Sequence, residues 1–395
     1  MSAEGEAIRS NDYRKDTTVK APSTRPAAVL GLDVGKSSHW ACLIDRDGEV
    51  LASAPVRNRE AELDALFASA PAGTLVVVDQ FRNIGSLAVR RARAAGLGVA
   101  HLPGLAASRA AGLFAGEAKT DERDAAVIAR TALGVPDSLS GVPGRGEALE
   151  AARALSSQRD HVVACATRDK NRLRAVLLES CPALEAAVDL SDRRWLELLA
   201  GFGGAWGIAR SGAGGPRAEA AGEAAAASTA PPPALVEAEN RQVMFLAARI
   251  SEALDEAGAL EAETAALLEG DETYACLLTV PGIGPRTAAQ LAVSVDIARF
   301  PDHDHLASYC GIAPRVRSSG TSVRSVRASR RGDARLKSLL IFSCNSLVRS
   351  SGRYGEYYRA CRARGMGHGR ALKAVARKRL RAIYAVMRDR VPYRE

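Results

Sequence analysis

The run Thr74-Leu75-Val76-Val77-Val78-Asp79 constrains this chain most. An unbroken apolar stretch this short, rich in β-branched residues and closed by an acid, predicts a strand buried inside a sheet. Strand-like patterns precede it: AAVLGLDVG from Ala27, then HWACLID and EVLASAPV, with Asp47-Gly48 as the hairpin turn between the last two. A helical stretch, REAELDALFASA, leads into the buried strand. A second helical stretch, IGSLAVRRARAAG, and a short strand, GVAHL, follow it. Three antiparallel strands followed by α/β alternation predict a mixed α/β sheet over residues 26–145.

Four carboxylates occupy marked positions on that sheet. Asp33 closes the first strand in LGLDVGKS, Asp79 closes the buried strand, and Asp121 and Asp124 open a predicted helix in AKTDERDAAVIAR. The i, i+3 spacing sets the last pair on one helical face. In an RNase H-like sheet such strand ends and such a helix start meet at one rim. Clustered carboxylates repel one another unless cations neutralise them, and hard divalent ions with oxygen ligands do so. A pair of Mg²⁺ ions is the expected cofactor, suited to attack and departure at a phosphodiester. Taken singly, each acid is better explained as a turn former, or for Asp121 as a helix cap. The combination of D-x-G-K-S, a second strand-end acid and K-T-D-x-x-D is what points to catalysis.

Charge divides the chain. From residue 271 onward there are 24 Lys and Arg against nine Asp and Glu, whereas the first 270 residues hold 30 against 36. A strongly basic second part suits a polyanionic partner, double-stranded DNA above all. The seven cysteines are scattered and never spaced as C-x-x-C, which excludes a zinc ribbon and fits a reducing cytoplasm. No secretory leader and no membrane-length apolar run are read from the sequence. Residues 1–25 are polar and aperiodic and are expected to be a disordered tail.

Residues 146–272 predict long helices with apolar positions near heptad spacing: Leu149, Ala152, Leu155 and Val162, then Leu246, Ile250, Leu254 and Leu260. Between them the Gly-, Ala- and Pro-rich stretch 201–235 reads as a flexible insert at the tip of a helical hairpin. From residue 273 to 395 a mainly helical, Arg-rich unit is expected. Its segment LTVPGIGPRTAAQL has the form of a helix-hairpin-helix, with the backbone at Gly282 and Gly284 and the Arg286 side chain available to a phosphate. Then comes a Ser/Arg-dense stretch carrying Arg315, Arg317, Arg324, Arg327, Arg330 and Arg331, readable as a phosphate cradle or as a solvated loop. Asp302-His303-Asp304-His305 reads as capping or solvated residues rather than a metal cluster. The basic helix Arg370–Arg381 presents Leu372, Val375 and Leu380 to a core.

Beyond the tail the chain resembles, over nearly its whole length, the transposases of the insertion-sequence "one-ten" group, which includes Piv-type DNA invertases and recombinases guided by a bridge RNA. L-G-L-D supplies Asp33, V-V-V-D supplies Asp79 where the family usually has Glu, and K-T-D-E-R-D supplies Asp121 and Asp124. V-P-G-I-G-P-R-T-A matches the hairpin segment. A-P-R-V-R-S-S-G places the family's functional serine at Ser319, with Ser318 as the adjoining alternative. The resemblance implies a RuvC-like domain holding two Mg²⁺, a coiled-coil region, and a C-terminal transposase domain whose serine forms a transient phosphoserine link to DNA. It further implies a dimer or tetramer, a structured guide RNA, and a bacterial, nucleoid-associated location. Two other functions are compatible with the residues: a RuvC-like Holliday-junction endonuclease that does not use Ser319, and an inert nucleic-acid-binding protein. Asp79, one methylene shorter than Glu, and the insert at 201–235 depart from the family pattern.

Overall fold

A computed structural model describes residues 26–114, 120–142, 144, 146–319, 322–328 and 332–394, with side chains described except over 314–328. The predicted tail at 1–25 lies outside the described residues. The chain divides into two compact units, the first ending at Gly144 and the second starting at Arg145.

The first unit is a six-stranded sheet with helices on both faces. Its elements are β1 (Ala28–Asp33), β2 (Ser38–Asp45), β3 (Val50–Arg57), α1 (Glu60–Ser69), β4 (Thr74–Val78), α2 (Ser86–Ala94), β5 (Gly98–His101), α3 (Gly104–Ala111), α4 (Asp121–Gly134) and β6 (Ser140–Gly141). The strand order is β3-β2-β1-β4-β5-β6, with β1, β4 and β5 mutually parallel and β2, β3 and β6 antiparallel to their neighbours. Strand alternation explains the apolar run that begins at Leu75. Leu30, Leu32, Val76 and Val78 face α1 and α2 through Leu63, Phe67, Ala88 and Val89, while Val29, Leu75 and Val77 face α4 through Ala125, Ile128 and Ala132. A strand covered on both faces has no polar side to alternate with. In the β2–β3 turn Gly48 takes φ +88°, a conformation that glycine adopts without a Cβ penalty.

The second unit is mainly helical. It comprises α5 (Glu147–Ser180), α6 (Pro182–Ala187), α7 (Arg193–Phe202), α8 (Ala205–Ser211), α9 (Pro216–Ala226), α10 (Pro233–Leu267), α11 (Glu272–Leu278), α12 (Pro285–Ser294), α13 (His303–Tyr309), β7 (Pro314–Ser319), β8 (Ser322–Ala328), α14 (Ala334–Phe342), α15 (Asn345–Val348), α16 (Arg353–Ala363) and α17 (His368–Asp389). Helices α5 and α10 form an antiparallel pair. The start of α5 and the end of α10 share one core through Leu149, Ala152 and Ala265, and their opposite ends share another through Leu173, Val176, Val243 and Ile250. The pairs Arg159–Glu261 (2.7 Å) and Arg249–Asp169 (3.1 Å) stitch the two helices in the same sense. The seam is less regular than heptads predict: Leu155 and Val162 are half-buried and Leu254 is exposed.

The flexible insert expected at 201–235 is contradicted. The stretch contains α8 and α9, and Ala218, Ala221, Ala224 and Ala225 are buried against Leu184, Trp195 and Leu199. Alanine is the best helix former, and an i, i+3, i+7 alanine face lets helices approach closely. Pro216 and Pro233 sit at the first turns of α9 and α10, where no N–H is needed. Asn240 of α10 ties the stretch down by accepting from the Gly204 N–H at 2.8 Å.

The C-terminal helices enclose a core of Leu277, Leu291, Leu306, Leu340, Leu380 and Ile383. Leu372, Val375 and Leu380 of α17 are buried, as their spacing predicts. Residues 314–319 and 322–328 of the Ser/Arg-dense stretch are strands. They pair antiparallel as β7 and β8, with a register shift between Arg317 and Ser318. Among the described residues no helix is long and apolar enough to cross a membrane. All seven cysteines are free.

Candidate functional site

The three parallel strands of the first unit end side by side. Leu32 pairs with Val78 across β1 and β4, so Asp33 and Asp79 continue adjacent strands past the last paired residues. Val78 pairs with His101 at the end of β5. The rim is knitted by hydrogen bonds: the Val34 N–H donates to Asp79 Oδ1 at 3.2 Å, and His101 Nε2 lies 3.0 Å from the Asp79 carbonyl oxygen. The loop after β1 is tight because a Cβ on Gly35 would fall 2.2 Å from the Ser38 carbonyl.

Helix α4 brings the other two acids. Thr120 caps it, accepting from the Arg123 N–H at 3.2 Å, so the cap is Thr120 and Asp121 takes the first helical position. Gly31 sets how near α4 comes to the sheet: a Cβ there would lie 2.4 Å from the Ala125 carbonyl and 2.7 Å from the Ala129 nitrogen. The residue before Ala125 is Asp124, and two residues beyond Gly31 is Asp33. The glycine of L-G-L-D thereby carries the first turn of α4 to the strand ends. The acidic first turn, Asp121, Glu122 and Asp124, also lies at the positive end of the helix dipole.

The electrostatics follow. Burial raises the Asp79 carboxyl above the ordinary carboxylate range, three backbone N–H groups oppose the rise, and the charge of Asp124 adds to it. Asp33, Asp79 and Asp124 are half-buried, whereas Asp121 is exposed. The fold therefore sets Asp33 and Asp79 at neighbouring strand ends, brings the charge of Asp124 to bear on Asp79, and leaves Asp121 exposed. In kind, this donor set fits a hard divalent cation: carboxylate oxygens, partly desolvated and mutually repelling. Among the described residues no three His, Cys, Asp or Glu side chains converge closely enough to enclose an ion.

Two histidines at the rim were not singled out in the sequence. His39 is 1% exposed, and its Nδ1 accepts from the Gly35 N–H at 3.2 Å. Burial holds its imidazole below the ordinary value against the opposing effects of Asn58 and the Asp79 charge. Its Nε2 and the Asn58 Oδ1 are both buried without a partner in hydrogen-bonding geometry. Inward placement of His39 could have been read from the alternation of β2. The position of His101 depends on which strand neighbours which.

In the second unit the hairpin-like turn is real but its two glycines differ. Gly282 takes φ +75° and is built into the fold, its Cβ position lying 2.8 Å from Arg379 and from Leu347. Gly284 is exposed at the start of α12, as is Arg286. Arg315, Arg317, Ser318 and Ser319 lie on β7 and Arg324 on β8, and their side chains fall outside the described residues, as do Arg330 and Arg331. Asp302 caps α13, accepting from the Asp304 and His305 N–H groups at 2.9 Å, which accounts for the Asp-His-Asp-His run.

Comparison with known proteins gives the family. Residues 30–182 match the family model of the DEDD transposase of the IS110 type, and residues 274–359 match that of the transposase IS116/IS110/IS902 family. The insertion element IS110 43.6 kDa protein of Streptomyces coelicolor is 35% identical over 91% of this chain and 94% of its own length. The insertion element IS900 42 kDa protein of Mycobacterium paratuberculosis is 32% identical over 92% of this chain and 96% of its own. A pilin gene-inverting protein of Moraxella bovis is 35% identical over 30% of this chain and 37% of its own.

Proposed function

This chain belongs to the IS116/IS110/IS902 transposase family, and on that premise we propose that it cuts and rejoins double-stranded DNA through carboxylates of the first unit and a serine of the second. One observation carries the catalytic half of the reading. Asp79, half-buried at a strand end, is hydrogen-bonded to the residue after Asp33 and feels the charge of Asp124. Structural acids gain nothing from being gathered this way, because each raises the cost of ionising the next.

Asp33, Asp79, Asp121 and Asp124 would hold the divalent cations, two Mg²⁺ by the family resemblance. When bound, such ions stabilise charge on the attacking and leaving oxygens of a phosphodiester. Because Asp79 is shorter than Glu, its reach depends on α4 standing close, which Gly31 provides. The sheet order, with parallel β1 and β4 ending at Asp33 and Asp79, supports an RNase H- or RuvC-like assignment of the first unit. The turn at Gly282 to Gly284, followed by α12, supports a helix-hairpin-helix role in holding a DNA phosphate, with Arg286 beside it.

Ser319, or its neighbour Ser318, attacks the scissile phosphorus through its hydroxyl oxygen. The serine O–P bond forms, the bond from phosphorus to the departing deoxyribose oxygen breaks, and that oxygen takes up a proton. Reversal by another strand's hydroxyl rejoins DNA without ATP, since the number of phosphoester bonds is unchanged. Arg315, Arg317 and Arg324 stabilise charge on the phosphoryl oxygens. Carboxylates of one protomer would work with the serine of another, in a dimer or tetramer, with a structured guide RNA choosing the sites. The name of the pilin gene-inverting relative supports site-specific rejoining over simple cleavage. The place of action is the bacterial cytoplasm, at the nucleoid.

Cleavage of DNA carrying the element ends, in Mg²⁺ or in EDTA, tests the reading. Cutting by the wild type in Mg²⁺ alone, abolished in Asp33→Ala and Asp124→Ala, is expected. Cutting that persists in EDTA or in both variants overturns the assignment of the acids.

A further inference from the structure

Where the α5–α10 pair meets α12 and α14, a groove of about 390 Å³ is lined by Arg159, Arg286, Arg335, Leu339 and Phe342. A second hollow of about 440 Å³ shares Arg286, Leu339 and Phe342 and runs on to Gly284 and Asn345. Together they make one trough on the second unit, with Arg286 and Phe342 at its middle.

The charges in this trough do not cancel. Asp160 lies between Arg159 (3.1 Å) and Arg335, and Glu261 is paired with Arg159 at 2.7 Å. Both carboxylates are thus engaged with Arg159 and Arg335. Among the described residues Arg286 has no carboxylate partner. Partial burial, then the nearby charge of Arg159, hold its guanidinium below the ordinary value, against the opposing charges of Asp160 and Glu261. Behind the trough Arg379 is 0% exposed, and its guanidinium donates to the Ser343 and Pro281 carbonyls at 3.0 and 3.3 Å and to the Ser343 hydroxyl, with no carboxylate among these partners. With three arginines against two carboxylates in the lining, the trough keeps a net positive charge that suits an anion.

Phe342 supplies the second half of the recognition. It is 65% exposed at the end of α14, although the helix buries Leu336, Leu339 and Leu340. A large aromatic face left in water beside an unpaired arginine matches a nucleotide whose base is free to stack and whose phosphate seeks a cation. A duplex presents phosphates but keeps its base faces stacked inside, so it satisfies Arg286 and leaves Phe342 unused. We propose that this trough binds a single-stranded segment of nucleic acid, with an unpaired base against Phe342 and a phosphate against Arg286. The proposal rests on the family's action on nucleic acid and not on the assignment of the acids or the serine.

The test uses the full chain and fluorescein-labelled 12-mers of deoxythymidine, of uridine, and of deoxythymidine annealed to deoxyadenosine, followed by fluorescence anisotropy. Phe342→Ala is expected to weaken single-strand binding about tenfold or more, leaving duplex binding in place, while Phe342→Trp restores it. Arg286→Ala should weaken single-strand binding and lower the salt dependence by about one charge. A 2-aminopurine base in the strand should be quenched by the wild type and not by Phe342→Ala. Tighter binding of the uridine strand assigns the trough to RNA, and tighter binding of the deoxythymidine strand to displaced DNA. Absence of single-strand binding, or equal loss for strand and duplex in Phe342→Ala, overturns the proposal. Asp33→Ala serves as the separate arm: it should abolish cleavage and leave strand binding intact, so failure of the catalytic reading and failure of the trough are read independently.

Discussion

Replacing Gly31 by alanine should disable the site from beneath. The new Cβ would stand 2.4 Å from the Ala125 carbonyl, where ordinary contact begins at 3.4 Å, so α4 has to withdraw by about 1 Å. The obstacle is helix backbone, which cannot swing aside as a long side chain would. Overpacking of this kind costs about 1–3 kcal/mol. Loss of a glycine's freedom in the unfolded chain offsets roughly 0.4–1 kcal/mol of that. The net, about 1–2 kcal/mol, corresponds to a melting temperature lowered by roughly 4–8 °C. Function should suffer more than stability. The withdrawal carries Asp124 away from Asp33 and Asp79, and a misplacement of about 1 Å can reduce a rate on the order of 100-fold. Differential scanning fluorimetry and Mg²⁺-dependent cleavage of element-end DNA measure the two effects. Gly134→Ala, at the far end of α4 with nothing within 4 Å of its Cβ position, is the matched control and should melt no lower than wild type. Wild-type melting and wild-type cleavage in Gly31→Ala would refute the claim that close packing of α4 on β1 positions the acids.

Three further outcomes follow from the same geometry. Thr120→Ala removes the cap of α4 and should cost about 1 kcal/mol, with Thr120→Ser retaining most of it, as read by chemical denaturation. Asp79→Asn should raise the melting temperature of the metal-free protein at neutral pH while abolishing cleavage. A carboxyl whose folded-state value lies above its unfolded one destabilises the fold once ionised, so the gain should appear as pH rises past the ordinary carboxylate value and should shrink below it. A melting temperature independent of this substitution at every pH would contradict it. Ala221→Asp, which places an unpaired charge in the core of the 201–235 stretch, should unfold α8 and α9 or lower the melting point sharply, whereas Ala226→Asp on the exposed side of α9 should change it little.

How much of this could be read from the chain differed by region, for physical reasons. The first unit was legible because its signals are local: β1 and β4 show as apolar runs, Asp47-Gly48 as a turn, and the start of α4 as acids after a threonine. The placement of Asp33 and Asp79 at neighbouring strand ends was legible from the strand-end pattern. The contribution of Gly31 was not, because a close approach between β1 and α4 is a long-range contact. The 201–235 stretch was misread because composition alone does not separate a disordered alanine tract from a packed one. The spacing of Ala218, Ala221 and Ala225, and the prolines at helix starts, held the missing information. The β7–β8 hairpin escaped because Arg and Ser on its strands hide the alternation with Val316, Val323 and Val326. Buried Arg379 could not have been told from its exposed neighbours on α17, since its burial is decided by Pro281 and Ser343, elements far away in sequence.

The central claim is that carboxylates and a serine act together on one phosphodiester. It is tested most directly by incubating the full-length protein with DNA of its own element junction, the flanking noncoding RNA and Mg²⁺, then resolving the products on denaturing gels. A covalent protein–DNA adduct in the wild type, absent from both Asp33→Ala and Ser319→Ala, is the predicted result, with Ser318→Ala deciding between the adjoining hydroxyls. Strand nicking that survives both serine substitutions and never yields an adduct would contradict the account and leave a metal-dependent nuclease in its place.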